Sequence, residues 1–317
     1  MLQSKYIFGP VASRRLGISL GVDLVRAKTC TLDCVYCEVG RTTALTTERK
    51  EYISTNAILD ELADYLQAAP KLDYITFSGS GEPTLHSGLG EITRFIKKNY
   101  PQYKLALITN STLFSSPQLR AEARPVDLLL PSLDAASDEV FRRINRPDNK
   151  IRVEAIIDGL TVFRNEFAGK MWLEIFIIPG LNDASDEIEK LKQAVHKIKP
   201  DIVQLNSLDR PGTEVWVNTA RREHLEEIGV RLDWPWEIIA RFTQKQQIDA
   251  SRIDVENAIL QTVQRRPCTL ADLSSTLALK PFEIKTVIDK LKTNGQVTAI
   301  KMERGEFYKL NDEEKDK

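Results

Sequence analysis

Short apolar or β-branched runs alternate with longer amphipathic ones along the first two thirds of the chain, and this rhythm constrains the fold most. Residues 16–24, 74–78, 105–109, 128–131, 172–178 and 202–206 read as strands. Between them, residues 57–66, 89–99, 116–124, 151–166 and 184–197 place apolar side chains at i, i+3 or i+4 and read as helices. Strands separated by helices become parallel neighbours, because a crossover is needed to start the next strand in the same direction, and crossovers are right-handed. The class is α/β. Such a sheet stays open or curls into a barrel or partial barrel, and periodicity does not choose between them.

After Asn206 the rhythm breaks. Residues 231–247, with Trp234-Pro235-Trp236, read as a connecting segment packed on the barrel rather than a seventh repeat. The expected division is 1–247, then 248–310, then a charged tail over 311–317. Within the second unit, residues 255–264, 270–277 and 281–294 read as short helices. Gly295 stands at a helix C-terminus, and residues 297–302 and 307–310 form a hairpin around 303–306. Three helices and a hairpin spell a winged helix-turn-helix domain. At 317 residues and 42% hydrophobic the chain can fill two cores.

A formal net charge of -1 supplies no global basic field for nucleic acid or an anionic membrane. Over residues 252–310 ten Lys or Arg stand against seven Asp or Glu, a mild excess of three. Nucleic acid, a protein or leader peptide, or mere packing all remain open for that unit. No apolar run approaches the roughly 18 residues that span a bilayer, and residues 1–9 carry no signal-peptide pattern. The expected location is the cytoplasm.

Cys30, Cys34 and Cys37 form CxxxCxxC directly after the first predicted strand, while Cys268 stands alone. Such clustering is no disulfide framework and points to metal chemistry in a reducing compartment. Three thiolates on one loop can hold three corners of an iron-sulfur cube and leave the fourth iron open to a ligand that reacts. A structural zinc wants four protein ligands, and His86, His196 and His224 all lie far from the loop in sequence. A redox pair would leave one of the three cysteines idle. The spacing favours the open cluster over both. Cys268 reads as a small buried hydrophobe.

The run Cys30-Thr31-Leu32-Asp33-Cys34-Val35-Tyr36-Cys37, with an aromatic before its last cysteine, resembles the signature of the radical S-adenosylmethionine (radical SAM) superfamily. The resemblance covers about residues 6–210 and implies a partial (β/α)6 barrel of TIM type. It also implies a 4Fe-4S cluster whose unique iron is chelated by S-adenosylmethionine, cleaved by one electron to methionine and a 5'-deoxyadenosyl radical that abstracts a hydrogen atom. The implied contacts lie at the C-terminal ends of the strands, where barrel sites collect. Gly79, Ser80, Gly81 and Glu82, within Ser78-Gly79-Ser80-Gly81-Glu82-Pro83, are similar to the family's Gly-Gly-Glu segment, which meets the methionine amino group. By position Asn110, Ser132, Asp134, Glu174 and Asn182 resemble the family's ribose, carboxylate and adenine contacts, and Tyr36 joins them from the cysteine loop. Taken singly, the glycine segment is a turn, and Asn110, Asp134 and Asn182 are capping residues. An external electron donor of flavodoxin or ferredoxin type is implied as well.

Residues 8–23, 40–43 and 79–85 resemble the bacterial branch grouped with tRNA wyosine synthase. That enzyme holds a second cluster with further upstream cysteines, and residues 1–29 contain none, so its reaction does not transfer. Arg14, Arg15, Lys28 and Arg41 flank the cysteine loop, suited to an anionic substrate or a phosphate backbone, or to neighbours such as Asp23 and Asp33. Residues 210–212 and 214–216 read as a roof over the open side of the barrel. The expected function is a radical enzyme acting on tRNA, a peptide or protein, or a metabolite. The alternative is a cluster-bearing regulator whose winged helix binds DNA and whose barrel senses S-adenosylmethionine or redox state.

Overall fold

The computed structural model describes residues 5–13, 15–239, 255–277, 279–302 and 304–311. Arg14, the expected boundary at 247–248 and the tail beyond Asn311 lie outside the described residues. In chain order the first elements are β1 (Ile7–Ser13), β2 (Gly17–Val22), β3 (Thr29–Cys30), β4 (Ala44–Leu45), α1 (Thr55–Leu66) and β5 (Tyr74–Phe77). There follow a 3-10 turn (Pro83–Leu85), α2 (Leu89–Asn99), β6 (Lys104–Thr109), α3 (Pro117–Ala123), β7 (Leu128–Pro131), α4 (Asp138–Asn145) and α5 (Val153–Glu166). The sheet is completed by β8 (Lys170–Phe176), α6 (Ser185–Ile198), β9 (Ile202–Asn206), α7 (Arg222–Leu232) and β10 (Trp236–Ile238).

The main sheet has the order β1-β2-β5-β6-β7-β8-β9-β10. All neighbours from β2 to β10 are parallel, and β1 runs antiparallel to β2. Its central strands are largely apolar because both faces are covered: all four residues of β7 are buried, as are Leu105, Ala106 and Leu107 of β6. The helices turn one stripe inward. In α1 that stripe is Ile58, Leu62 and Leu66, and Ser54 starts the helix by accepting from the Ala57 amide at 3.4 Å.

The sheet curls. Arg15, in the β1–β2 turn, donates to Glu174 of β8 and to Gln204 of β9 (3.3 Å). Across a flat sheet β2 and β8 would stand roughly 19 Å apart, four steps of about 4.8 Å, which no arginine spans. The two edges, β1 and β10, do not pair with each other, so the barrel is partial.

Three expectations change. Residues 236–238 are not connecting chain: Trp236, Glu237 and Ile238 pair in parallel with Val203, Gln204 and Leu205, so α7 and β10 add a further repeat. Two tryptophans flanking a proline look unlike a strand, yet Gly229 of α7 leaves room for the Trp236 ring, which a Cβ there would meet at 2.4 Å. Strand β1 was not anticipated, since Pro10 lacks a donor, but an edge strand with a register shift between Phe8 and Val11 tolerates it. The short helix α4 also escaped the periodicity, its inward side chains being Phe141, Ile144 and Asn145.

Beyond residue 254 lie α8 (Val255–Arg265), β11 (Cys268–Thr269), α9 (Leu270–Leu277), α10 (Pro281–Thr293), β12 (Val297–Met302) and β13 (Gly305–Leu310). The strands form an antiparallel sheet ordered β11-β13-β12. The helices pack on it around Ile259, Leu273, Ile284, Ile288 and Leu291, and Cys268 is buried in that core. This module touches the barrel through charged pairs. Arg265 donates to Asp23 at 2.9 Å and lies over the Phe8 ring, Arg304 donates to Asp209 at 2.9 Å, and Arg210 meets Asp272 at 3.5 Å. Among the described residues no helix is long and apolar enough to cross a membrane.

Candidate functional site

The cysteine loop leaves the C-terminal end of β2 and is closed on itself by β3 pairing with β4. Its frame is backbone: the Thr43 and Ala44 amides donate to the Lys28 carbonyl, Thr46 N donates to Cys30 O, and Thr42 N to the Asp33 carboxylate at 2.7 Å. A second clamp comes from the segment after β9, where Thr213 Oγ1 donates to the Cys37 carbonyl and Glu214 N to the Val35 carbonyl, each at 3.0 Å. There Glu214 also pairs with Arg41 (2.8 Å) and Arg146 (2.6 Å), while Val215 and Trp216 are exposed. The expected roof therefore grips the loop itself.

Each cysteine sulfur is met by its own donor. Asn110 Nδ2 lies 3.4 Å from Cys30 Sγ, Asn145 Nδ2 lies 3.3 Å from Cys34 Sγ, and Lys28 Nζ lies 3.2 Å from Cys37 Sγ. Burial, then the Glu82 charge, pushes the Cys30 thiol up to about 12; burial, then Asp134, pushes Cys34 well above the usual range. A bare thiolate is disfavoured there and needs a cation to form. Among the described residues no three His, Cys, Asp or Glu side chains converge on one point as a single metal ion would require. Three sulfurs on one loop, each facing an N–H, in surroundings that demand positive charge, fit the corners of an iron-sulfur cluster better than a mononuclear site.

Around the loop stand the strand ends. After β5, Gly79 has φ +128° and Gly81 presses on the loop: a Cβ at Gly81 would come 2.2 Å from the Thr29 carbonyl. Ser80, where the similar family segment has glycine, has no positive φ, and its amide donates to Asp23 at 3.0 Å. Glu82 is buried and takes four hydrogen bonds, from Thr84 N and Oγ1, Thr109 Oγ1 and Asn110 N. Burial still raises its carboxyl above the ordinary value.

Asp134 gathers the other side. It accepts from Tyr36 Oη at 2.5 Å, Asn145 Nδ2 at 2.7 Å and Phe176 N at 3.0 Å, and burial outweighs these donors to push it up to about 6. The Tyr36 ring stacks on Phe176, centroids 3.9 Å apart and planes within 8°. Glu174 is held by Arg15 and by Asn206 (3.3 Å), and Ser132 is half-buried beside it, bridged to that strand.

Asn182 is the most deeply buried of the expected contacts. It is wholly buried, donating to the carbonyls of Asp134 and Phe176 at 2.8 Å and accepting from Ile178 N at 2.8 Å. Its side chain fastens the β8 end with both amide hydrogens spent. Of the flanking cations, Arg15 lies inside the barrel, Lys28 touches Cys37 and Arg41 pairs with Glu214, while the partner of Asp23 is Arg265.

Sequence reasoning missed Asn145, Phe176 and Asp23 as site residues. Asn145 ends a short helix just after Arg142 and Arg143, where asparagine reads as a cap. Asp23 carried a signal, standing where a strand gives way to the cysteine loop.

A shallow cleft of about 380 Å3 opens at the opposite rim, near Ile18, Asp73 and Tyr103. It lies far from this chemistry. A second, of about 340 Å3, lies where residues 38–41 and 211–213 face Val263, Gln264 and Pro267 of the C-terminal module.

Comparison with known proteins places this geometry in a family context. The model of the radical SAM superfamily matches residues 24–193. A protein of Brachyspira hyodysenteriae named GTPase Obg is 32% identical over 304 residues, 93% of this chain, which spans only 44% of that relative's length. A UPF0026 protein of Methanocaldococcus jannaschii is 28% identical over 98% of this chain and 97% of its own. The crystal structure of a radical SAM methyltransferase from Sphaerobacter thermophilus shares the fold, with TM-score 0.56 and 17% identity over 69% of this chain and 65% of that one.

Proposed function

The chain belongs to the radical SAM superfamily, and on that premise we propose that Cys30, Cys34 and Cys37 hold three irons of the 4Fe-4S cluster and leave the fourth for S-adenosylmethionine. The cluster and S-adenosylmethionine are the cofactors of the family, and when bound they supply one-electron cleavage of the sulfonium to methionine and a 5'-deoxyadenosyl radical. The residues of the chain bind, orient and shield. Gly79 and Gly81 let the segment after β5 close on Asp23 and on the cysteine loop, which sets Glu82 in place, and the free lone pair of Glu82 Oε2 suits an ammonium. Tyr36 and Asp134 form a fixed wall, braced by Phe176 and Asn145. Ser132, Glu174 and Asn110 supply polar groups at the neighbouring strand ends, and Asn182 acts behind them as a fastener.

The enzyme needs an external electron donor, for which we propose a small flavodoxin or ferredoxin, and the reducing chemistry suits a cytoplasmic setting. We read residues 255–310 as a winged helix that helps hold the substrate, which is a tRNA, a peptide or protein, or a metabolite. The wyosine synthase resemblance assigns none of these. The regulator reading has no observation in its favour, since a bare redox sensor needs no polar strand ends around its cluster.

The observation that carries the proposal is the set of three sulfurs, each with its own N–H donor. Anaerobically reconstituted protein should bind about four iron and four sulfide. Alanine at Cys30, Cys34 or Cys37 should abolish the visible absorption, and Cys268→Ala should preserve it. Dithionite and S-adenosylmethionine should then yield 5'-deoxyadenosine. Loss of the cluster in Cys268→Ala, or a full cluster with no deoxyadenosine, would overturn the assignment.

A further inference from the structure

We propose that Lys28, Asn110 and Asn145 are positioning residues that raise the reduction potential of the cluster, with Lys28 the principal one. The proposal rests on Cys30, Cys34 and Cys37 being the cluster ligands. The three donors come from separate parts of the fold: the turn before β3, the end of β6 and the end of α4. A sulfur finds a donor by chance on a polar loop, but each of these three residues is also tied to a group other than its sulfur.

Lys28 has φ +57°, a left-handed conformation that a lysine adopts only when its surroundings impose it. They do so at both of its peptide groups. Its amide donates to the Ser80 carbonyl at 2.7 Å, and its carbonyl accepts from Thr43 N and Ala44 N at 3.1 Å. Its ammonium then rests on Cys37 rather than in solvent.

Asn145 is 2% exposed, and its Nδ2 bonds both Cys34 and Asp134. Turning the amide over would set its oxygen against a sulfur and a carboxylate, so the donor face is fixed by the network. Asn110 is locked likewise. Its Nδ2 also donates to Thr31 Oγ1 at 2.8 Å, and its Oδ1 accepts from Thr112 Oγ1 at 2.8 Å.

The step these groups act on moves one electron from a low-potential donor to the cluster. The donor is oxidised and the cluster reduced, no bond is made or broken, and no proton changes place. The added negative charge spreads onto the sulfurs, so N–H dipoles and a nearby cation favour the reduced form. An ammonium brings a whole charge and an amide only a dipole. Lys28 is half-buried, so its charge is screened less than on an open surface.

The test is a redox titration of the full-length reconstituted protein, followed by visible absorption and electron paramagnetic resonance, without S-adenosylmethionine or substrate. Lys28→Met keeps the stem and the Cβ. It should hold wild-type iron yet titrate at a more negative potential, and Lys28→Arg should recover most of the shift. Asn110→Leu should move the potential the same way by less. Lys28→Met with full iron at the wild-type potential would overturn the proposal. So would loss of the cluster in Lys28→Met, which would make Lys28 a brace for the loop. A wild-type protein that takes up no iron would instead refute the ligand assignment, and this proposal with it.

Discussion

Asp134 is a carboxylate almost without water, 3% exposed, among Tyr36, Asn145 and the Phe176 amide. Its carboxyl is pushed up to about 6 from 3.8, so the folded state binds this proton more tightly than the unfolded chain does. The resulting stabilisation of the cluster-free protein is fully present below pH 3.8 and lost as pH rises through about 6. It amounts to roughly 3 kcal/mol. Glu82 and Asp23 are raised by burial too and add slope of the same sign. Urea unfolding of Asp134→Asn between pH 4 and 7 should therefore show a flatter pH dependence than the parent, and an unchanged slope would refute this assignment. The cysteine cluster stands out in the sequence because its spacing is itself the signal, and Glu82 stands out only through the resemblance of its segment to a family motif. Asn145 was not, because its meaning lies in a sulfur 111 positions away.

At the scale of elements, α8 reaches the loops after β2 and β5 through one arginine. Arg265 pairs with Asp23, and the same carboxylate holds the Ser80 amide and fills the space a Cβ on Gly79 would need, 1.7 Å from Oδ1. Both side chains are less than one fifth exposed, so removing one strands the other. Arg265→Gln should cost about 1–3 kcal/mol in denaturant unfolding. A change within error would show the pair to be solvated. The helices α1, α2, α3, α5 and α6 were legible from their apolar stripes. Strands β1 and β10 were not: a proline marks one and two tryptophans the other, and each is a strand only because a neighbouring strand offers it a ladder.

For the molecule as a whole, the C-terminal module and the barrel share their charges. Arg210 is 4% exposed and sits between Glu38, next to Cys37, and Asp272 of α9, while Arg304 joins Asp272 to Asp209. A chain ending at Ile239 keeps Cys30, Cys34 and Cys37 but takes Arg265 from Asp23 and Asp272 from Arg210. It should still load iron, and its affinity for S-adenosylmethionine in equilibrium dialysis should fall by roughly tenfold, about 1.4 kcal/mol. Undiminished affinity would make the module independent of the cofactor site. The sequence by itself determined the parallel α/β class and the cysteine loop, because periodicity and spacing are local and survive in a string of letters. Only the tertiary structure decided that the sheet curls, that each sulfur meets its own donor, and that Asp23 answers to an arginine 242 residues away. Those contacts are made across the fold, by side chains whose partners no local pattern names.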